Sequence, residues 1–201
     1  MTRSIRRVAV FCGSSPGANP AWTTQSYEVG RGLAERGIGL VYGGGGSGLM
    51  REVSQGALDA GGEVIGVMPR SMIEREWGRA DLTELHIVDT MHERKALMAE
   101  LADAFLTLPG GLGTLEEVVE VWSWRHIGFN DGPVAFLNLG GVWTPLLTAM
   151  HGLVDAGFIR PAVLDDVVVA EDLDSALTGL TARLRDRSGD QTGGGSGGGS
   201  G

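Results

Sequence analysis

Ala104-Phe105-Leu106-Thr107-Leu108-Pro109-Gly110-Gly111-Leu112-Gly113-Thr114-Leu115-Glu116-Glu117 is a short apolar run, then glycines, then the opening of a helical pattern. An α/β protein builds an anion cradle in this order: glycines let the backbone approach a ligand, and the helix start offers unpaired N–H groups at a positive dipole end. Glu117 sets the stretch apart. A cradle for phosphate alone has no use for a carboxylate one turn into the helix, whereas a reaction that develops positive charge beside a phosphorylated sugar does. The spacing Thr114-x-x-Glu117 also matches a capping box, and on spacing alone the cap is the favoured reading. Glu116 and Glu120, in the same helix, read as solvated acids.

Outward from this stretch, strand and helix patterns alternate. Strands are expected at Val8–Phe11, Ile38–Tyr42, Val64–Met68, Leu85–Val88, Ala104–Leu108, Val134–Leu137 and Val167–Val169. Helices are expected from about Pro20 to Arg36, Gly48 to Ala60, Met91 to Ala102, after Gly111, from Trp143 to Ala156 and from Asp172 to Arg187, with an irregular segment between Pro69 and Asp81. Short apolar strands separated by helices imply a parallel sheet covered on both faces. The fold expected is therefore α/β: one Rossmann-like, doubly wound domain over residues 1–187. Ligands of such sheets bind beyond the carboxyl ends of the strands, where the winding reverses. The loops at Gly13, Gly43 and Gly110 should all open on that edge, with Gly13, Ser14, Ser15, Gly44 and Gly45 as candidate phosphate contacts. Residues 188–201 read as a flexible tail, and their last nine, GGGSGGGSG, have the composition of an appended linker.

Composition removes several function classes. A net charge of −9 argues against a nucleic-acid surface. No apolar run approaches the length of a membrane span, and one cysteine, Cys12, excludes an internal disulfide and suits a reducing, cytoplasmic setting. His86, His92, His126 and His151 are scattered, so no metal site is expected. Gly43-Gly44-Gly45-Gly46-Ser47-Gly48 is a poor dinucleotide fingerprint, because Met68 and Pro69 stand where a ribose-binding acid would follow. Gly13-Ser14-Ser15-Pro16-Gly17 matches a nucleophile elbow in form, but Pro16 removes an N–H that an oxyanion hole would need.

A second residue type bears on Glu117. In Met91-His92-Glu93-Arg94-Lys95-Ala96-Leu97-Met98, Arg94 falls at helical spacing from Met91, Met98 and Leu101, on or beside the apolar face. A guanidinium there must be paired or line a cleft; the bland alternative is an arginine snorkelling at the core edge. Lys95 points to another face and reads as surface. Glu117 shares its own helix face with Val121, Trp124 and Arg125. A carboxylate and a guanidinium on adjacent inward faces beside a glycine cradle make a plausible active site.

These residues carry a resemblance. The chain resembles the LONELY GUY family, the cytokinin riboside 5′-monophosphate phosphoribohydrolases once labelled lysine decarboxylases. The likeness runs from about Val8 to Ala170. It rests on Pro109-Gly110-Gly111-x-Gly113-Thr114-x-x-Glu117, on Met91-His92-Glu93-Arg94-Lys95 and on Phe11-Cys12-Gly13-Ser14-Ser15. What it implies is hydrolysis of the N-glycosidic bond of an N6-modified adenosine 5′-monophosphate, giving free base and ribose 5-phosphate without a cofactor. By the same resemblance, Arg94 and Glu117 are the catalytic residues. Glu76, Arg94, Lys95, the run Gly111, Leu112, Gly113, Thr114, Leu115, Glu116, Glu117, and Ser123 are substrate contacts. A homodimer with the active site near the subunit interface is also implied. The chain departs from the family's usual Tyr-Gly-Gly-Gly-Ser/Asn-Val-Gly-Leu-Met-Gly at Gly46, Ser47 and Arg51. Arg125 stands where a neutral polar residue is common, and either departure could alter the phosphate or base pocket. Two alternatives remain open at this stage: a general AMP or purine 5′-monophosphate nucleosidase, and a carrier that holds a nucleotide or a molybdenum cofactor without turning it over. Pyridoxal-dependent decarboxylation would need a Schiff-base lysine, and the one lysine sits inside the Arg94 motif.

Overall fold

The computed structural model describes residues 4–73, 79 and 81–190. Seven strands form a single all-parallel sheet: β1 (Arg7–Phe11), β2 (Gly39–Tyr42), β3 (Val64–Pro69), β4 (Glu84–Val88), β5 (Ala104–Thr107), β6 (Val134–Leu137) and β7 (Val168–Ala170), in the order β4-β3-β2-β1-β5-β6-β7. The helices are α1 (Ala21–Glu35), α2 (Gly48–Asp59), α3 (Arg70–Ile73), α4 (Met91–Leu101), α5 (Leu112–Ile127), α6 (Thr144–Asp155), α7 (Pro161–Asp165) and α8 (Leu173–Asp190).

Alternation along the strands sorts the core into two layers. Val8 and Val10 of β1, with Leu40, Tyr42, Leu106 and Leu137, face α1, α2 and α8. Ala9 and Phe11, with Val41, Val67, Phe105 and Phe136, face α4, α5, α6 and α7. This is the doubly wound architecture expected from the strand–helix alternation. On the first face α1 and α2 touch backbone to backbone: a Cβ on Gly30 would lie 1.8 Å from the Val53 carbonyl oxygen, and one on Gly56 2.0 Å from that of Tyr27.

The winding reverses at β1, which pairs with β2 on one side (Val8↔Leu40) and β5 on the other (Val8↔Ala104, Phe11↔Thr107). The crevice this creates lies between the loops leaving β1 and β5. Expected boundaries fall within two or three residues of those seen, with three differences. Part of the irregular segment is the short α3. A further helix, α7, precedes β7, its five residues being too few for a visible period. α8 extends three residues beyond Arg187, into the stretch assigned to the tail.

Candidate active site

Three strand-to-helix loops are fastened together at the crevice. The Gly13 amide donates to the Pro109 carbonyl at 3.0 Å, and the Gly13 carbonyl accepts from the amides of Leu49 (3.0 Å) and Met50 (3.3 Å). Ser47 Oγ donates to the Ser14 carbonyl at 3.1 Å. Gly48 has φ +54° and a Cβ there would lie 2.3 Å from the carbonyl carbon of Ser14, so only glycine lets α2 approach this loop. The two helix starts are therefore unequal. The first turn of α2 spends N–H groups on Gly13, whereas no acceptor among the described residues meets the amides of Leu112, Gly113 and Thr114 at the start of α5. The free anion cradle belongs to α5.

These loops surround a cavity of about 500 Å³, lined on its polar side by Gly13, Ser14, Ser47, Thr114, Arg94 and Glu117. Met50, Met68, Met72 and Met91 supply an apolar side. Arg94 and Glu117 meet there, with Nη1 donating to Oε1 at 2.8 Å, while Arg94 Nε donates to the Val67 carbonyl at 3.1 Å. Arg94 is 8% exposed and Glu117 7%. Beneath the guanidinium lies Gly43, where a Cβ would stand 1.9 Å from Arg94 Nη2. Burial pushes the Glu117 carboxyl above its ordinary value, and the Arg94 charge works in the opposite direction. The Cys12 thiol, also lining the cavity, is pushed well up, by burial first and then by Glu117.

Glu117 is not a helix cap. Gly111 is the N-cap residue of α5, with no side-chain cap bond, which leaves Thr114 and Glu117 too far into the helix for a capping box. The box is at the other Thr-x-x-Glu, in α4: Thr90 Oγ1 accepts from the Glu93 amide at 3.1 Å, and Glu93 Oε2 accepts from the Thr90 amide at 3.3 Å. That cap fixes the start of α4, one turn before Arg94. Thr114 instead packs over Gly110, where a Cβ would lie 2.1 Å from its Oγ1.

Lys95 is not surface. It is 4% exposed and ion-paired with Glu116 and, at 2.8 Å, with Glu120, so these two acids are not simply solvated. Burial opposes its ammonium form, but the carboxylates of Glu116 and Glu120, which accept from it and pair with its charge, outweigh burial and leave its pKa above the ordinary lysine value. Arg125 is buried too and stands away from the cavity. It binds Asp166 (Nη2 to Oδ1, 2.8 Å) and the Asp131 carbonyl, tying α5 to α7, so this departure does not reshape the pocket.

Of the other expected contacts, Gly111, Leu112 and Gly113 line the cavity with Thr114, and Leu115 packs into the core. Gly13, Ser14 and Gly45 line it, whereas Ser15 and Gly44 do not. The Gly44 carbonyl accepts from the Arg79 amide at 3.2 Å. Ser123 is exposed on α5, beside a separate apolar groove of about 340 Å³ formed with α6 and α7. Glu76 and its neighbour Trp77 lie outside the described residues. The sequence reading missed the methionine side of the cavity, although Met50, Met68 and Met91 each stand at a loop–helix or strand–loop junction beside a motif it had singled out.

The family described as "Possible lysine decarboxylase" matches residues 50–180. The chain is 47% identical over 166 residues to a probable cytokinin riboside 5′-monophosphate phosphoribohydrolase, LOGL2, of Oryza sativa subsp. japonica, covering 83% of this chain and 68% of that protein. It is 43% identical over 176 residues to the cytokinin riboside 5′-monophosphate phosphoribohydrolase of Rhodococcoides fascians, covering 87% and 89%. Among solved structures, the molybdenum cofactor carrier protein of Chlamydomonas reinhardtii shares the fold at TM-score 0.68 and 23% identity, over 92% of this chain and 99% of that one. The decarboxylase wording finds no support in the site, because Lys95, the one lysine, is held by Glu116 and Glu120 and does not line the cavity. By both the matched segment and the identity to these relatives, the chain belongs to the LONELY GUY family.

Proposed function

We propose that this protein hydrolyses the N-glycosidic bond of N6-modified adenosine 5′-monophosphates, releasing the free base and ribose 5-phosphate. The observation that carries the reading is the buried Arg94–Glu117 pair at the cavity, beside the open first turn of α5. The free amides at Leu112 to Thr114 suit the 5′-phosphate, whose binding energy would align the ribose. Breaking the bond from C1′ to the base builds positive charge on the sugar, and Glu117 is an anion placed to stabilise it and to take a proton from water. Water's oxygen bonds to C1′, the bonding pair leaves with the base, and the base gains a proton. Burial pushes the Glu117 carboxyl up, and Arg94 favours its ionised form against that effect. The methionines offer a deformable apolar surface for a base carrying an apolar N6 substituent.

The working unit we propose is a cytoplasmic homodimer. Leu112 (85% exposed), Val119 and Ile127 form an apolar stripe on α5 with Ser123 among them, and Phe158 (84% exposed) borders the adjoining groove. A second copy seated on this stripe would bring Ser123 into an interface beside the substrate site.

The test follows release of base and ribose 5-phosphate from N6-isopentenyl-AMP and from AMP, in wild type and in Glu117→Gln and Arg94→Ala. Turnover should fall by about a hundredfold or more in each variant, and the ratio of the two substrates separates a cytokinin-nucleotide enzyme from a general nucleosidase. Tight nucleotide binding without release in wild type would make the protein a carrier instead.

A further inference from the structure

Arg94 and Lys95 are consecutive in α4, and Glu116 and Glu117 are consecutive in α5, so two layers of ion pairs join the helices. Arg94 to Glu117 lies on the cavity side, and Lys95 to Glu116 and Glu120 lies beside it. Consecutive helical residues project about 100° apart, so α5 cannot turn about its axis without breaking one layer or the other. Glu116 and Glu120 are one turn apart, and a single buried ammonium grips both. The start of α5 has no side-chain cap to hold it, yet this is the part of the chain whose orientation matters most at the site.

We propose that Lys95 is a positioning residue: by gripping Glu116 and Glu120 it fixes the first turns of α5 against α4, and so holds the Glu117 carboxylate on Arg94 and toward the cavity. This rests on the reading of Arg94 and Glu117 as the catalytic pair, and it replaces the substrate contact that the family resemblance implies for Lys95. The charged and titratable groups facing Glu117 are Arg94 and Lys95 from α4, Glu116 from its own helix and the Cys12 thiol from the loop after β1. Loss of Lys95 removes one cation and leaves Glu116 and Glu120 without it.

The experiment compares Lys95→Met, Lys95→Arg and Glu120→Gln with wild type by two readouts. One is hydrolysis of N6-isopentenyl-AMP across pH. The other is direct titration of the Glu117 side-chain carboxyl by carbon-13 NMR in the unliganded protein. For Lys95→Met, kcat should fall about tenfold or more with KM changed less than about threefold. The acid limb of kcat/KM and the NMR titration should both move up by about half to one pH unit. Lys95→Arg should recover most of kcat. Glu120→Gln, which keeps Lys95 on Glu116, should lower kcat by a few fold at unchanged KM, and it tests the proposal if Lys95→Met does not fold. A tenfold rise in KM with kcat and the Glu117 titration unchanged would make Lys95 a substrate contact and overturn the proposal. Lowered stability with kcat and titration both unchanged would also overturn it, leaving a merely structural lysine. The NMR titration needs no turnover, so an inactive wild type would refute the proposed reaction while leaving the positioning of Glu117 decided by its own measurement.

Discussion

Gly43→Ala offers the sharpest test of how the Arg94–Glu117 pair is held. The backbone at Gly43 is not left-handed, so alanine meets no torsional obstacle there, and the effect of the substitution is steric. Its methyl carbon would stand 1.9 Å from Arg94 Nη2, where ordinary contact begins near 3.4 Å, so the guanidinium must retreat by about 1.5 Å. The retreat cannot be shared out cheaply, because Nε is bound to the Val67 carbonyl and Nη1 to Glu117. A displacement of that size lengthens the 2.8 Å bond to Glu117 beyond hydrogen-bonding range. A lost buried, charge-assisted hydrogen bond costs about 1.5–3 kcal/mol of stability, and a misplacement of about 1 Å at a reacting centre costs on the order of a hundredfold in rate. The assay is kcat/KM on N6-isopentenyl-AMP beside a urea unfolding curve, with Ala9→Gly, a small-residue change in the same core layer, as a control for general loosening. A Gly43→Ala protein that folds and keeps kcat/KM within about threefold of wild type would refute the claim that this geometry matters.

Two further outcomes follow from the charges. The native pKa of Glu117 lies above its ordinary 4.5, so the native state holds this proton longer than the unfolded chain does. The stability contributed by that proton is present in full below pH 4.5 and is lost as pH rises through the native value. Wild type should therefore lose urea stability relative to Glu117→Gln as pH rises above 4.5; a difference that stays constant with pH would contradict this. Arg125→Ala should lower stability by about 3 kcal/mol, since it strips a buried guanidinium from Asp166 and the Asp131 carbonyl. Activity per folded molecule should stay within about threefold, and a specific loss of kcat would return Arg125 to the substrate pocket.

The sheet was legible because the strands are short, mostly apolar runs, several of them closed by glycine or proline, and such runs alternating with helical patterns leave little choice of architecture. Arg94 and Glu117 were legible for a related reason: each sits on the apolar side of its helix, where an ionised group needs a partner. Two matters depended on tertiary detail. Thr90-x-x-Glu93 and Thr114-x-x-Glu117 look alike in sequence, and only the true start of each helix shows which one caps. In α5 that start is set by a glycine, which carries no side chain to announce itself. The burial of Lys95 depends on α5 packing across α4, a contact between residues more than twenty positions apart that no local period encodes. Ser123 fell outside the cavity because a helix carries it more than a turn beyond Glu117, onto a different surface.

The central place of β1 also governs how the molecule is made. Its partner on one side, β2, follows within about thirty residues, but its partner on the other, β5, pairs Ala104 with Val8 across nearly a hundred. A chain emerging from the ribosome can thus complete β1 through β4 while one long side of β1, with Ala9 and Phe11 in it, still lacks a neighbour. The same late strand delivers the helix whose open amides and carboxylate make the crevice. During synthesis the wall of the crevice from Gly13 to Arg94 is therefore made first, and Glu117 with its open amides joins it only after β5 has covered the free edge of β1.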